Sequence, residues 1–203
     1  MRGCLTFKYG VMGSSKTARA LIQRFNYLEN GMHPWLIKPS IDIRDGETKI
    51  RSRIGLEADV CVISCDESIV LKYPGTGVII ADEAQFFTSA QIDDLRKLAD
   101  AGVEVFCYGL RTNFRAELFE GSKRLMELAD KIEEIPHICS CGHTATINAR
   151  VDENNNLITD GEIIKLGGDD MYRAMCHRCW TRQLMGQNNE DNKAVRYTTD
   201  NTK

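Results

Sequence analysis

The sequence has no excess of charge of either sign and no apolar run long enough to cross a membrane. Its 26 Lys and Arg residues oppose 29 Asp and Glu residues, which gives a formal charge of -3. A general nucleic-acid-binding protein needs a positive surface, so this balance argues against one. The N-terminal residues enter an apolar strand pattern directly and lack the layout of a signal peptide. We therefore expect a cytoplasmic protein that binds neither nucleic acid nor membrane and acts on a small molecule.

The first 137 residues alternate short apolar runs with amphipathic stretches, a pattern typical of an α/β domain with a parallel sheet. The near-continuous apolar runs at Val60 to Ser64 and Val78 to Ala81 predict central strands covered on both faces. Ser15 to Asn30 is predicted as a helix, and Thr88 with Gln91 forms a capping-box pattern that begins another. Ser40 to Gly55 is highly charged and is predicted as a long mobile connection on the surface.

The eight cysteines fall into two groups. Cys4, Cys61, Cys65 and Cys107 occur singly in or beside apolar runs and are expected to be small buried side chains. The others form two close pairs near the C-terminus, which favour a structural zinc site with four thiolates in a reducing compartment. His137, His143 and His177 lie near enough in sequence to replace a ligand. The predicted metal ligands are Cys139, Cys141, Cys176 and Cys179.

These cysteine pairs define the predicted domain boundaries. We predict that residues 1–137 form the α/β domain and that residues 138–181 form a small zinc-ribbon domain around the cysteine pairs. Residues 182–203 contain many Asn, Asp, Thr and Gln and few large apolar side chains, so we predict a disordered tail.

A glycine-rich segment between the first strand and the first helix has the position and composition of a phosphate-binding P-loop. Its backbone N–H groups and the helix N-terminus attract phosphate, its lysine neutralises phosphate oxygens, and its threonine hydroxyl can bind Mg²⁺. Ser15 stands where the motif has glycine. Because this residue begins the helix, we expect it to adopt a relaxed conformation without positive φ. The predicted nucleotide-binding residues here are Gly10, Val11, Met12, Gly13, Ser14, Ser15, Lys16 and Thr17.

Two adjacent carboxylates, Asp82 and Glu83, follow the buried strand Val78 to Ala81. The carboxyl ends of parallel strands form the edge at which open α/β sheets bind ligands. One carboxylate can bind a metal ion and the other can act on a nucleophile. Together with Lys16 and Thr17, the pair predicts phosphoryl transfer.

A series of short motifs, taken in order, resembles the zinc-containing thymidine kinases of bacteria and of animal cytosol. The resemblance implies a RecA-like P-loop sheet with helices on both faces, followed by a zinc-ribbon domain that carries a lasso loop. The motifs, besides the P-loop and the two cysteine pairs, are Asp42-Ile43-Arg44, Ser52-Arg53-Ile54-Gly55, Asp82-Glu83-Ala84-Gln85-Phe86-Phe87, Tyr108-Gly109-Leu110-Arg111-Thr112-Asn113-Phe114 and Leu166-Gly167-Gly168-Asp169-Asp170-Met171-Tyr172.

The resemblance also implies a reaction, the transfer of the γ-phosphate of ATP to the 5′-hydroxyl of thymidine. Glu83 would be the catalytic base, and Asp82 would hold Mg²⁺ together with Thr17, with Ala84 and Gln85 on the nucleotide side. The substrate-binding residues would be Asp42 and Arg44 near the sugar and phosphates, Met12, Phe86, Leu110 and Phe114 around the base, and Ile164, Leu166, Gly167 and Tyr172 in the lasso loop.

Membership of this family would further imply a homotetramer with structural zinc that is inhibited by dTTP, the triphosphate end-product. Asn148 falls where a smaller or apolar pocket residue is common in the family. Two other interpretations remain at this point. In a recombinase-type P-loop ATPase, Glu83 would activate water and DNA would stimulate hydrolysis. In a zinc-ribbon nucleic-acid-binding module, the ribbon should be basic, whereas residues 152–170 contain six acidic side chains: Asp152, Glu153, Asp160, Glu162, Asp169 and Asp170.

Overall fold

The secondary structure alternates strands with helices through most of the chain. A computed structural model describes residues 3–43, 46, 48–163 and 171–186. The strands are β1 (Leu5–Tyr9), β2 (Trp35–Pro39), β3 (Lys49–Arg51), β4 (Glu57–Asp59), β5 (Cys61–Ile63), β6 (Val78–Ala81), β7 (Glu104–Gly109), β8 (Lys131–Glu134), β9 (Ile147–Arg150) and β10 (Tyr172–Met175). The helices are α1 (Lys16–Glu29), α2 (Ile69–Lys72), α3 (Ser89–Asp100), α4 (Glu120–Leu128) and α5 (177–186), with a 3₁₀ turn at Ala84–Phe86.

Six strands form one parallel sheet in the order β5-β2-β6-β7-β1-β8. The predicted α/β fold with a parallel sheet is therefore confirmed. The continuous apolar run Val78–Ala81 is the fully buried strand β6, next to the centre of the sheet. Because every strand runs in the same direction, the loops that follow β1, β2, β6 and β7 all leave from one edge.

Helices cover both faces of this sheet because its central strands are apolar on both sides. On β7, Val105 and Cys107 face a core that α3 and α4 complete. The alternate residue Tyr108 faces the opposite core, together with Ala20 and Leu21 of α1. The predicted capping box is confirmed at the start of α3: Thr88 accepts a hydrogen bond from the Gln91 N–H, and the Gln91 side chain accepts one from the Thr88 N–H.

Part of the predicted surface connection is ordered as a hairpin. Strands β3 and β4 pair in an antiparallel ribbon separate from the main sheet. Their side chains are mostly charged and exposed, although Ile50 is buried against α1 and β2. A short exposed strand carries no apolar run, which is why the sequence did not predict this pair.

The C-terminal part contains a second small sheet in which β9 and β10 pair antiparallel. Helix α5 begins directly after Cys176, contains Cys179 and continues to residue 186, five residues beyond the predicted boundary at residue 181. Residues 164–170 of the predicted lasso loop and residues 187–203 of the predicted tail lie outside the described residues.

The four single cysteines differ from one another in burial, contrary to the expectation that all are buried. Cys107 in β7 is buried, Cys4 and Cys61 are half-buried, and Cys65 is exposed in the turn after β5. The expectation was wrong for Cys65 because the apolar run ends before it. Within the described ranges, none of the helices combines the length and the apolar character needed to cross a membrane.

Candidate active site

A cavity of about 360 Å³ lies at the carboxyl edge of the parallel sheet. This volume is in the range of small-molecule sites. The structure brings most of the predicted site residues together around it: Met12, Gly13, Ser15, Lys16, Thr17, Asp42, Asp82, Glu83, Gln85, Phe86, Leu110, Phe114 and Tyr172. Gly10, Val11, Ser14 and Ala84 lie behind this surface, and Arg44, Ile164, Leu166 and Gly167 lie outside the described residues.

The P-loop curls between β1 and α1, so that the Lys16 side chain lies beneath the backbone of the loop. The Lys16 ammonium donates hydrogen bonds to the carbonyl oxygens of Gly10 and Val11, both at 3.0 Å. Gly10 must be glycine, because a Cβ there would lie 2.7 Å from the backbone carbonyl oxygen of Ile135. The segment therefore has the compact turn that a phosphate-binding loop requires.

The expectation for Ser15 was wrong. This residue has φ 64° and ψ 29°, in the left-handed region, and no side-chain hydrogen bond caps α1. The chain still takes the turn that glycine normally makes in this motif, although serine carries a Cβ. An L-residue in this region costs about 1–2 kcal/mol.

Asp82 is a buried carboxylate without enough protein partners. Its Oδ1 has no hydrogen bond among the described residues, while the Thr17 hydroxyl bonds to the carboxylate. Burial and the adjacent Glu83 carboxylate raise the pKa of Asp82 to about 7, against the opposing effect of Thr17. An orphaned carboxylate oxygen beside a threonine hydroxyl at the end of a P-loop is a suitable donor set for Mg²⁺.

Glu83 is held in a fixed orientation by Gln85. The Gln85 amide donates to Glu83 Oε2 at 2.5 Å, and its oxygen accepts from the Leu110 N–H at 2.9 Å. Glu83 also has a left-handed backbone, with φ 51°. Such strain at a buried polar residue is typical of functional sites. Gln85, predicted on the nucleotide side, thus contacts the candidate base directly.

Aromatic side chains enclose the far end of the cavity. Phe86 packs edge-on against Phe119, with ring centroids 5.5 Å apart. Phe114 is buried, and the guanidinium groups of Arg115 and Arg150 lie 5.5 and 5.4 Å from its ring centre. Phe119 was not predicted, because it precedes α4 outside any recognised motif. These rings give the cavity an apolar wall that suits a planar base.

Asp42 lies on the cavity wall after β2 and is close to a buried lysine. Lys38 is fully buried, and its ammonium is 3.8 Å from the Asp42 carboxylate. The same ammonium donates to the carbonyl oxygens of Gly46 and Lys49. Lys38 therefore ties the loop after β2 to β3 and fixes Asp42 at the cavity. The sequence signal for this role was a lysine at the end of an otherwise apolar strand.

The structure also places at the cavity Arg53 and Thr112, which stand in family motifs without an assigned role, and Asn148, which stands at a pocket position of the family. Arg53 follows β3, and its guanidinium group lies beside the P-loop. A Cβ built on Gly13 would be 3.8 Å from Arg53 Nη1. Thr112 and Asn148 line the same cavity. The family motifs marked these positions, and the tertiary contacts show that all three side chains reach the cavity.

The four late cysteines converge in the C-terminal part. Their sulfur atoms all lie within 4.8 Å of one another. A tetrahedral site with bonds of about 2.3 Å needs sulfur atoms roughly 3.8 Å apart, so this cluster fits a metal ion such as zinc. Backbone hydrogen bonds from Cys141 and Cys176 lower the pKa of Cys139 to about 6, which favours a thiolate. Of the candidate histidines, His143 contacts Cys141 at 3.5 Å but is not part of the cluster.

Comparisons with known proteins point to one family. The family model described as thymidine kinase matches residues 3–180. The thymidine kinase of Zymomonas mobilis is 42% identical over 188 residues, covering 89% of this chain and 97% of the relative. The thymidine kinase of Coxiella burnetii is 39% identical, covering 86% of this chain and 93% of the relative. That of Vibrio cholerae is 38% identical, covering 88% of this chain and 96% of the relative. The chain therefore belongs to the thymidine kinase family.

Proposed function

We propose that this protein is a thymidine kinase that transfers the γ-phosphoryl group of ATP to the 5′-hydroxyl of thymidine. The observation that carries the proposal is the position of Glu83, which shares one cavity with Lys16, Asp82 and the aromatic wall. A base, a phosphate-binding lysine and an apolar pocket for a ring are the parts that nucleoside phosphorylation requires.

In this mechanism Glu83 accepts the proton of the 5′-hydroxyl as that oxygen attacks the γ-phosphorus. The new O–P bond forms while the bond from the γ-phosphorus to the bridging oxygen breaks, and ADP leaves with that electron pair. Gln85 keeps the Glu83 carboxylate oriented toward the substrate, which matters because positioning dominates phosphoryl transfer. Lys16 and the P-loop N–H groups bind the phosphates.

Asp82 and Thr17 would hold Mg²⁺, which neutralises phosphate charge when it is bound. The orphaned Oδ1 of Asp82 supports this assignment, because a buried anionic oxygen needs a cation or a donor. Ala84 continues the same segment behind Asp82. Arg44, outside the described residues, is proposed to contact phosphate.

The thymine base is proposed to lie among the apolar side chains of the cavity. Met12, Phe86, Leu110 and Phe114 would contact the ring, and Tyr172 lies on the same surface at the start of β10. Asp42 would accept a hydrogen bond from the sugar. The lasso residues Ile164, Leu166 and Gly167 are proposed to cover the base with their backbone groups.

The remaining properties are proposed from the family resemblance and the cysteine pattern. The four cysteines would bind structural zinc, because four thiolates leave no coordination position for water. A thiolate cluster of this kind suits the reducing cytoplasm. A homotetramer and inhibition by dTTP are part of the same proposal.

The experiment supplies purified protein with ATP, Mg²⁺ and each of the four common deoxynucleosides in turn. We expect thymidine to give ADP and a nucleoside 5′-monophosphate in equal amounts, with much less product from the other three. ADP release that DNA stimulates and no nucleoside requires would instead identify a recombinase-type ATPase. Phosphorylation of another deoxynucleoside in preference to thymidine would contradict the substrate assignment.

A further inference from the structure

The P-loop contacts the C-terminal cysteine module directly at two consecutive residues. Val11 is buried in one apolar cluster with Cys139, Ala145 and Cys176. The next residue, Met12, donates its backbone N–H to Asn148 Oδ1 at 2.7 Å. A loop that must hold phosphate therefore packs on the module that carries the candidate metal ligands.

Asn148 makes this connection specific. It lies in β9 and is buried, and its Nδ2 donates to the Thr112 carbonyl oxygen at 3.1 Å. Its two hydrogen bonds assign the amide orientation, since the oxygen faces an N–H group and the nitrogen faces a carbonyl. One side chain of the cysteine module thus joins the P-loop to the loop that follows β7.

The hydrogen bond from Met12 to Asn148 lies next to a strained part of the P-loop backbone. Gly13 has φ 83° and Ser15 has φ 64°, so two of the three residues after Met12 are left-handed. Serine in this conformation is strained. A partly buried N–H group that loses its acceptor is destabilised unless the backbone shifts to another partner or to water.

We infer that Asn148 is a positioning residue for ATP, which fixes the P-loop at Met12 and makes nucleotide affinity depend on the cysteine module. The inference rests on the proposed function for the identity of the nucleotide. Its rival is a direct role in nucleoside selection, because Asn148 also lines the cavity. If Asn148 positions the P-loop, removing its amide should raise KM for ATP. If it selects the nucleoside, the same change should alter KM for thymidine.

The test compares Asn148→Leu, which is close in size but lacks the acceptor, with Ile147→Val as the matched control. Ile147 is the neighbouring buried residue of β9 and packs in a separate apolar cluster, away from the P-loop. Hydrogen exchange at the Met12 amide is measured without nucleotide or nucleoside, and KM is then measured for ATP and for thymidine. Circular dichroism and thermal melting establish that each variant is folded.

We expect Asn148→Leu to speed Met12 amide exchange by at least roughly 10-fold and to raise KM for ATP by a similar factor, with kcat and KM for thymidine within a factor of about three. Ile147→Val should lower the melting temperature but leave Met12 amide exchange and both KM values unchanged. Unchanged exchange at Met12, or a change confined to KM for thymidine, would overturn the inference. Because the exchange measurement needs no substrate, it remains decisive even if thymidine is not the nucleoside.

A second variant covers the case in which leucine prevents folding. Asn148→Asp keeps an oxygen acceptor for the Met12 N–H but, when ionised, cannot donate to Thr112. We expect Met12 exchange in this variant to stay within a factor of about three of the parent. Equal loss of protection in the aspartate and leucine variants would mean that the Met12 bond is not the link between the module and the loop.

Discussion

Ser15 carries backbone strain directly before Lys16, the proposed phosphate-binding lysine. Its backbone is left-handed, with φ 64° and ψ 29°. We expect the folded protein to carry this strain with or without ATP. A substitution that relieves it should change the free energy of unfolding more than it changes nucleotide affinity.

Ser15→Gly is expected to raise the free energy of unfolding. Relief of about 1–2 kcal/mol of strain outweighs the roughly 0.4–1 kcal/mol that glycine costs through unfolded-state entropy. Thermal or denaturant unfolding measures the gain, and titration with ATP should give a Kd within a factor of about two of the parent. Ser15→Ala is the matched control, since it removes the hydroxyl but keeps the Cβ. Tighter ATP binding at unchanged stability would mean that the loop adopts this turn only with nucleotide.

Glu83→Gln tests the base. The substituted side chain keeps the size and one acceptor oxygen for the Gln85 amide, but it cannot take the 5′-hydroxyl proton. We expect kcat to fall by roughly two to four powers of ten while the Kd for ATP stays close to that of the parent. Glu127→Gln, a surface carboxylate on α4 paired with Arg124, is the control and should retain full activity. A Glu83 variant within a few-fold of the parent would remove this residue from the base role.

At the scale of elements, the Glu83 segment depends on how closely α4 approaches it. Gly121 in the first turn of α4 packs against the backbone of the 3₁₀ turn. A Cβ on Gly121 would lie 2.6 Å from the carbonyl oxygens of both Ala84 and Phe87. The helix therefore supports the proposed catalytic segment through close backbone contact.

Gly121→Ala is expected to destabilise the protein, although alanine is normally the better helix former by about 1 kcal/mol. The backbone contact cannot yield without moving α4 or the 3₁₀ turn, which costs about 1–3 kcal/mol. Thermal unfolding measures the loss, and kcat should fall with it because Glu83 shifts. Gly186→Ala is the control, since nothing lies within 4 Å of its added Cβ at the end of α5. Equal stability of the two variants would show that α4 adjusts freely.

The elements differ in how well the sequence predicted them, and burial explains the difference. Strand β6 and the α3 cap were predicted because an apolar run and a capping pattern are local signals. Strand β8 is exposed along its length and carries charged side chains, so no apolar run marks it. The same distinction holds at the site. Lys16 and Asp82 follow strands in recognisable motifs, whereas Phe119 reaches the cavity only through tertiary packing.

At the scale of the whole molecule, the cysteine module is continuous with the nucleotide site. Cys139 and Cys176 share an apolar cluster with Val11 of the P-loop, and the Ala145 N–H donates to the His137 carbonyl oxygen in the segment that joins β8 to the module. Loss of the metal would leave four sulfur atoms that repel as thiolates or take up protons. Either change expands the cluster on which Val11 packs.

Cys176→Ser is therefore expected to lower metal content, stability and nucleotide affinity together. Elemental analysis of the parent should find about one zinc per chain, and the variant should retain much less, since a four-thiolate site loses a ligand. Melting temperature should fall, and the Kd for ATP should rise because the cluster behind Val11 loosens. Cys65→Ser, an exposed cysteine outside the cluster, is the control and should match the parent in all three measurements.

Full zinc in Cys139→Ser would point to His143, whose Nδ1 lies 3.5 Å from Cys141 Sγ, as a substitute ligand. Zinc loss without any change in ATP affinity would show that the module and the P-loop are independent.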